Sequence, residues 1–191
     1  MTNGLDPVLN FEVTPSWDKR VLVVTDISDW KHLIDEPSYI EITLPGSKTA
    51  VRHSYSKNKV MVFNASSLKY GCSSGCEDEL PPLPDGIYKI KIYVCEGTQF
   101  SYERQYLRTV SLEVRLQREI MALDIGCMPN SGCLNKIIEA EFMIKGAKAD
   151  IFFGNITSAQ RKYQLAVDIV EHVEHCDCSK DCGNGHTTTA Y

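Results

Sequence analysis

Residues 85–94 read Asp-Gly-Ile-Tyr-Lys-Ile-Lys-Ile-Tyr-Val, and this stretch decides the fold class of the first part of the chain. The even-numbered positions from Tyr88 to Val94 are apolar or aromatic, whereas Lys89 and Lys91 occupy odd-numbered positions. Successive side chains of a strand point to opposite faces, so the pattern predicts a strand with one buried and one solvated face. Such strands are typical of antiparallel sheets.

Neighbouring segments extend this prediction to an antiparallel β-sandwich. Residues 100–109 follow a turn at Glu96-Gly97-Thr98 and are predicted to return as the second strand of a hairpin. Further strand-like runs, each next to turn residues, occur at residues 20–25, 39–44 and 59–64. We therefore expect a sandwich domain over residues 1–125.

The segment that starts at Val110 carries two competing patterns. Apolar and polar residues alternate from Val110 to Gln117, which favours a strand. Leu112, Leu116 and Ile120 also repeat at intervals of four, which favours a helix. We interpret the segment as a strand that gives way to a short helix before Gly126.

The last third of the chain predicts two helices joined by a short turn. Residues 134–153 contain no proline, and their apolar positions are broad enough for a helix buried on two sides. Gly154 and Asn155 end it, and Thr157-x-x-Gln160 matches a capping box that begins the next helix. The predicted fold class is α+β: an antiparallel β-sandwich followed by a C-terminal α-helical hairpin over residues 126–175, with a Cys/His/Thr-rich tail over residues 176–191.

Composition excludes several classes of protein. The chain has 191 residues, of which 43% are hydrophobic and 24% charged, and these values exclude disordered and fibrous classes. Its net charge of −5 argues against a protein that grips the phosphate backbone of DNA or RNA. No apolar run approaches the roughly 20 residues that span a bilayer. The first ten residues lack a basic segment, so we expect no signal peptide.

Eight cysteines are present, and we expect free thiols in a reducing cytosol. Cys176, Cys178, Cys182 and His186 supply four ligands of the types that bind zinc. The single residue between the first two thiols is tight for a closed site, so we favour a polar tail with reactive thiols and expect no cofactor. An intracellular adaptor that is stabilised by zinc at this cluster is the alternative.

A thiol-dependent hydrolase is a further alternative. Cys72, Cys76 and Cys95 share the predicted β part with His32 and His53, so a thiol and a base are both available. No local motif marks any of these cysteines as a nucleophile. We therefore predict that the protein is not an enzyme.

One strand face is a candidate interface. Tyr102, Arg104, Tyr106 and Arg108 share a face if the alternation of residues 100–109 holds. Tyrosine and arginine are enriched in the cores of protein–protein interfaces. We predict that these four residues contact a partner protein. The alternative is a half-buried strand whose tyrosines cover the edge of the sandwich.

Several segments resemble small structural proteins of crAss-like and related tailed phages of Bacteroidetes. They are Pro84-Asp85-Gly86-Ile87-Tyr88-Lys89-Ile90, Tyr106-Leu107-Arg108-Thr109, the hairpin pattern with Gly-Ala-Lys-Ala at 146–149, Gly154-Asn155, Ala159, Tyr163 and Ala166, and Cys176-x-Cys178. The resemblance spans residues 84–178 and leaves the first strands without support.

The resemblance implies a virion protein of the head-to-tail connector, neck ring or tail hub. Its expected partners are copies of itself in a closed ring and other neck or tail proteins, such as the portal, an adaptor and tail components. The β part would contact ring neighbours, and the hairpin would dock on the next ring. The protein would be assembled in the host cytoplasm and located in the virion, with no membrane contact and at most non-specific proximity to passing DNA.

Overall fold

The computed structural model describes residues 11–14, 18–27, 37–56, 58–71, 80–94, 101–124 and 131–173. Within them the chain forms strands first and helices last. The strands are β1 (Phe11–Thr14), β2 (Val21–Asp26), β3 (Pro37–Thr43), β4 (Ala50–Ser54), β5 (Val60–Asn64), β6 (Gly86–Val94) and β7 (Ser101–Arg108), and the helices are α1 (Val110–Asp124), α2 (Ser131–Phe152) and α3 (Ile156–Val173). The chain divides into two compact units, Met1–Val110 and Ser111–Tyr191.

The first unit contains two antiparallel sheets. One sheet has three strands in the order β1-β2-β5, and the other has four in the order β4-β3-β6-β7. The strand predicted from residues 85–94 is β6, which pairs with β3 on one side and β7 on the other. Tyr88, Ile90 and Ile92 are buried, whereas Lys89 is exposed, so the predicted division into a buried and a solvated face is confirmed.

Both sheets contribute side chains to one hydrophobic core. Each large apolar side chain that is fully buried contributes about 1.5–3 kcal/mol relative to an exposed one. The members on strands are Phe11, Leu22, Val24, Met61 and Phe63 of the three-stranded sheet and Ile40, Ile42, Tyr88, Ile90 and Ile92 of the four-stranded sheet. The α+β class is therefore confirmed, and the sandwich arrangement of the two sheets stays a prediction.

The segment from Val110 to Gln117 forms the first half of α1, so its interpretation as a strand was wrong. Leu112 and Leu116, four residues apart, are buried in the core of the second unit. The side chains that become buried are therefore those with helical spacing, and not those that alternate along the segment. The domain boundaries drawn at residues 125 and 175 stay predictions.

Helices α2 and α3 pack together through small and branched side chains. Ala140, Ile144, Ala166 and Val170 are buried in their common core. The turn between the helices matches a Schellman motif: the Asn155 amide donates to the Asp150 carbonyl, and the Gly154 amide donates to the Ile151 carbonyl. Gly154 has a φ of +77°, the left-handed conformation that this motif requires and glycine adopts without strain.

Helix α3 begins earlier than the sequence predicted. Its first residue is Ile156, and the Ala159 amide donates to the carbonyl oxygen of Asn155. Asn155 is therefore the residue that precedes the first helical turn, and Thr157 lies inside that turn. The predicted capping box at Thr157 was wrong because asparagine already provides a favourable residue at this position.

An ion pair joins α2 to α3 and couples the stability of the helical unit to pH. The Asp150 carboxylate lies 2.8 Å from Nζ of Lys162. Hydrogen bonds from Lys162 and, to a smaller extent, Ser158 lower the pKa of Asp150. A carboxyl group whose pKa is lower in the folded than in the unfolded state adds stability above its ordinary pKa, and this stability is lost as the pH falls through the folded-state pKa.

We expect Asp150→Asn to lower the free energy of unfolding more near neutral pH than near pH 2, because the ionised carboxylate is progressively lost as the pH falls through the folded-state pKa of Asp150. Urea unfolding followed by circular dichroism at both pH values measures this difference. Glu171→Gln, which removes an exposed carboxylate of α3, is the matched control. An equal loss of stability at both pH values would show that the ionised carboxylate is not the cause.

Candidate protein–protein interface

The four residues predicted as an interface lie on β7, at an edge of the four-stranded sheet. Arg108 is only 2% exposed, and its Nη2 donates hydrogen bonds to the carbonyl oxygens of Lys19 at 2.6 Å and Asp18 at 3.3 Å. A buried guanidinium that donates to two carbonyls holds neighbouring backbone in place. Its guanidinium is therefore engaged inside the first unit.

The other three residues also make contacts within the first unit. Arg104 donates to the carbonyl oxygen of Phe11, and Tyr106 packs against the hydrophobic core. The ring of Tyr102 meets the ring of Phe11 edge-on, with 5.6 Å between centroids, and more than a third of this tyrosine is exposed. At the end of β7, Leu107 and Arg108 are both buried, so this part of the strand is covered on both faces. The interface at these four residues stays a prediction.

A row of apolar side chains lies on the solvent side of α2. The members, called the α2 row below, are Leu134, Ile138, Phe142 and Phe152. All four are exposed, and Phe142 and Phe152 each keep 75% of their surface in solvent. Phe153 follows directly and is 73% exposed, and its ring meets that of Phe152 edge-on at 5.3 Å.

The α2 row is part of the broad apolar surface that the sequence predicted for residues 134–153. The side of α2 that is buried carries Ile137, Ala140, Ile144 and Ala147. This side is covered within the second unit, and the row is the second apolar side, which the described residues leave uncovered. Single exposed apolar residues are ordinary, whereas an aligned group of this size is typical of a site that binds another surface.

Two opposite charges lie on the same side of α2 as the row, with Lys145 within its arc and Glu141 at its margin. Nζ of Lys145 lies 3.9 Å from the carboxylate of Glu141, and both side chains are well exposed. An exposed pair at this spacing contributes only about 0.3–0.5 kcal/mol to a helix. Lys148 differs from Lys145, because it lies 2.6 Å from Glu113 of α1 and holds two helices of the second unit together. Glu141 and Lys145 therefore remain accessible to a partner.

A second apolar surface lies on β5, at an edge of the three-stranded sheet. Met61 and Phe63 point into the core, whereas Val60 and Val62 are exposed, Val62 to 60%. Val62 lies opposite Val23 of β2, which is half-buried. The alternation was present in the predicted strand at residues 59–64, but the sequence offered no reason to expect that valines would occupy the solvent side.

The proposed zinc ligands Cys176, Cys178, Cys182 and His186 lie outside the described residues. Within the described residues, no group of three or more His, Cys, Asp or Glu side chains is placed to hold a metal ion. The zinc-stabilised adaptor therefore stays an alternative.

Cys133 is disulfide-bonded, so the expectation of free thiols was wrong for this residue. The other seven cysteines lie outside the described residues. Spacing along the chain does not reveal which cysteines meet in space, because pairing depends on the distance between Cα atoms.

A cleft of about 720 Å³ in the first unit bears on the hydrolase alternative. It is lined by the turn between β3 and β4 and by residues 68–70, including Ser47, Thr49, Arg52 and Tyr70. The Arg52 guanidinium pairs with Glu41 at 2.9 Å and lies over the ring of Tyr39. The described lining contains no cysteine, and Cys72, Cys76, Cys95 and His32 lie outside the described residues, so the hydrolase hypothesis gains no support here.

Comparisons with protein-family models, with curated proteins and with solved structures found no match for this chain. No helix in the described part of the chain combines the length and the apolar character needed to cross a membrane. The two exposed apolar surfaces, on α2 and on β5, are therefore the features from which a function can be inferred.

Proposed function

We propose that this protein is a structural subunit that acts by binding other protein chains, without catalysis and without a cofactor. The observation that carries this proposal is the pair of phenylalanines on α2, Phe142 and Phe152, each three-quarters exposed. Burying either ring in a contact would contribute about 1.5–3 kcal/mol, a gain that the isolated chain does not realise. Phenylalanine is among the residues that are enriched in protein–protein interfaces.

The protein is a component of a tailed-phage virion in this proposal. It forms part of a head-to-tail connector, neck ring or tail hub, as the resemblance of residues 84–178 implies. Its partners are copies of itself in a ring and neighbouring neck or tail proteins. A net charge of −5 suits a subunit that lines or surrounds a DNA passage without gripping the phosphate backbone.

Two apolar surfaces on two units support a subunit with more than one neighbour. A closed ring needs a head-to-tail contact in which two different surfaces of one chain meet. The face of β5 with Val60 and Val62 supplies one such surface in the first unit. The α2 row is then available for a contact outside the ring.

Electron microscopy of the purified chain tests this proposal. We expect class averages with cyclic symmetry, and Val62→Glu is expected to abolish them because it places a charge in the contact between neighbours. Ser66→Glu adds the same charge at an exposed turn of the same unit and serves as the matched control. Particles without symmetry for the unaltered chain, or equal symmetry for Val62→Glu, would contradict the proposed ring.

A further inference from the structure

We infer that the α2 row binds the α2 row of a second copy of this chain, with the two helices antiparallel about a twofold axis. This inference rests on the proposed function and specifies one of its contacts. Three features of α2 favour a second copy as the partner: the arc that the row covers, the charges near it and the apolar area that it exposes. None of these features lies in the first unit, so the contact is independent of the proposed ring contact.

The row is straight enough for helix-to-helix packing. At 100° per residue, Leu134, Ile138, Phe142 and Phe152 fall within an arc of about 80° on one side of α2. From Leu134 to Phe152 the row extends for about 27 Å at 1.5 Å per residue. Lys145 and Ala149 fall within the same arc between Phe142 and Phe152, so the strip matches the face of another helix that places a carboxylate opposite Lys145. The same strip on a second copy, with Glu141 beside it, is such a face.

Charge complementarity selects the antiparallel arrangement. When the twofold axis passes beside Met143, Glu141 of each copy lies opposite Lys145 of the other. Leu134 then lies opposite Phe152, Phe142 lies beside the axis between the two charged residues, and Ile138 lies between Glu141 and Leu134. In a parallel pair, identical residues would face each other, which places Glu141 against Glu141 and Lys145 against Lys145. Like charges in such positions are destabilising.

The exposed area is of the size that a modest homotypic contact needs. Phe142, Phe152 and Phe153 are each about three-quarters exposed. Taking about 150–250 Å² for a fully buried aromatic side chain, the three offer roughly 340–560 Å² per copy. Doubled for two copies and extended by Leu134 and Ile138, the contact reaches the low end of the standard range, about 1,200 Å² in total.

The charges of α2 favour a second copy over an anionic membrane surface. Amphipathic helices that bind such membranes carry an excess of lysine and arginine on their polar face. On α2, Lys136 and Lys145 are balanced by Glu139 and Glu141, all on the exposed part of the helix or beside it. Equal numbers of positive and negative charges allow α2 to pair with an antiparallel copy of itself, in which opposite charges face each other.

Sedimentation equilibrium of the full chain tests the inference. We expect Phe142→Asp to weaken the association between copies by about tenfold or more, as loss of an interface anchor does. Met121→Asp changes an exposed apolar residue of α1 in the same way and is the matched control. Circular dichroism checks that both variants fold, which is expected because Phe142 is three-quarters and Met121 more than half exposed.

Charge exchange tests the antiparallel register itself. Glu141→Lys and Lys145→Glu are each expected to weaken association, because each places like charges opposite one another across the axis. The double exchange is expected to restore it, and a mixture of the two single variants is expected to form mixed dimers. Unchanged association in every variant would overturn the inference.

Two further outcomes separate this inference from its rivals. Loss of binding to anionic lipid vesicles in Phe142→Asp, with self-association unchanged, would overturn it in favour of a membrane surface. Symmetric rings that persist in Phe142→Asp with unaltered total mass would overturn it and leave the proposed function standing. If the unaltered chain forms no multimer at all, both the inference and the proposed function fail.

Discussion

Arg108→Ala is expected to lower the free energy of unfolding of the first unit by about 3–5 kcal/mol. The substitution removes the donors that Arg108 presents to the carbonyl oxygens of Lys19 and Asp18. A hydrogen bond to a charged group contributes about 1.5–3 kcal/mol. The truncation also leaves a cavity, because this side chain is among the largest that are fully buried.

Arg108→Lys is the matched control for this prediction. It keeps the positive charge but replaces the guanidinium, whose Nη2 donates to both carbonyls, with a different and shorter donor group, so we expect an intermediate loss of stability. Urea unfolding followed by circular dichroism measures both variants. An Arg108→Ala chain of normal stability that no longer associates would contradict the structural role and support the interface predicted from the sequence.

Ile90→Ala is expected to lower the free energy of unfolding by about 2–5 kcal/mol, the cost of truncating a large core side chain. Ile90 is fully buried at the centre of β6, opposite Ile42 of β3 and Arg104 of β7. Little can move to fill the space, since the strand is paired on both sides. We therefore expect a loss toward the upper part of this range.

Ile90→Val, which removes one methylene group, is the graded control, and its expected cost is about 0.5–1.5 kcal/mol. Lys89→Ala changes the neighbouring residue on the solvated face of the same strand and is expected to have little effect. Urea midpoints of the three variants give the comparison. Equal losses for Ile90→Ala and Lys89→Ala would contradict the orientation of β6.

The sequence predicted the elements whose local pattern and tertiary packing agree. In β6 the alternation of residues 85–94 and the burial of Tyr88, Ile90 and Ile92 have the same period. The paired helices were predictable for a similar reason. Gly154 follows α2 in the left-handed conformation, which few residues other than glycine adopt. In these segments the local signal needs no information from the rest of the chain.

Two kinds of segment were not predictable from the sequence: those whose apolar residues fit both a strand and a helix, and those that are very short or carry few apolar residues. The apolar pattern of residues 110–117 fits both a strand and a helix. The burial of Leu112 and Leu116 within the second unit favours the helix. Strand β1 has four residues, and its pairing with β2 depends on partners distant in sequence. Strand β4 carries few apolar residues, because its exposed face consists of Ala50, Arg52 and Ser54, and so its sequence gives little indication of a strand.

The candidate site was harder to predict than the fold. Arginines and tyrosines of β7 have the composition of an interface, yet Arg108 satisfies backbone carbonyls inside the first unit. Composition cannot distinguish these two uses, because both exploit the same donors and the same apolar stem. The breadth of the apolar surface of α2 was visible in the sequence, but which side stays exposed depends on where α3 packs.

The mass of the purified chain in solution tests the central claim most directly. Native mass spectrometry at micromolar concentration is expected to show a discrete multimer, an integer multiple of the chain, because the apolar surfaces on α2 and β5 are covered by other copies. A chain that stays a monomer under these conditions, with both surfaces still open to solvent, would contradict the claim that this protein acts by binding copies of itself.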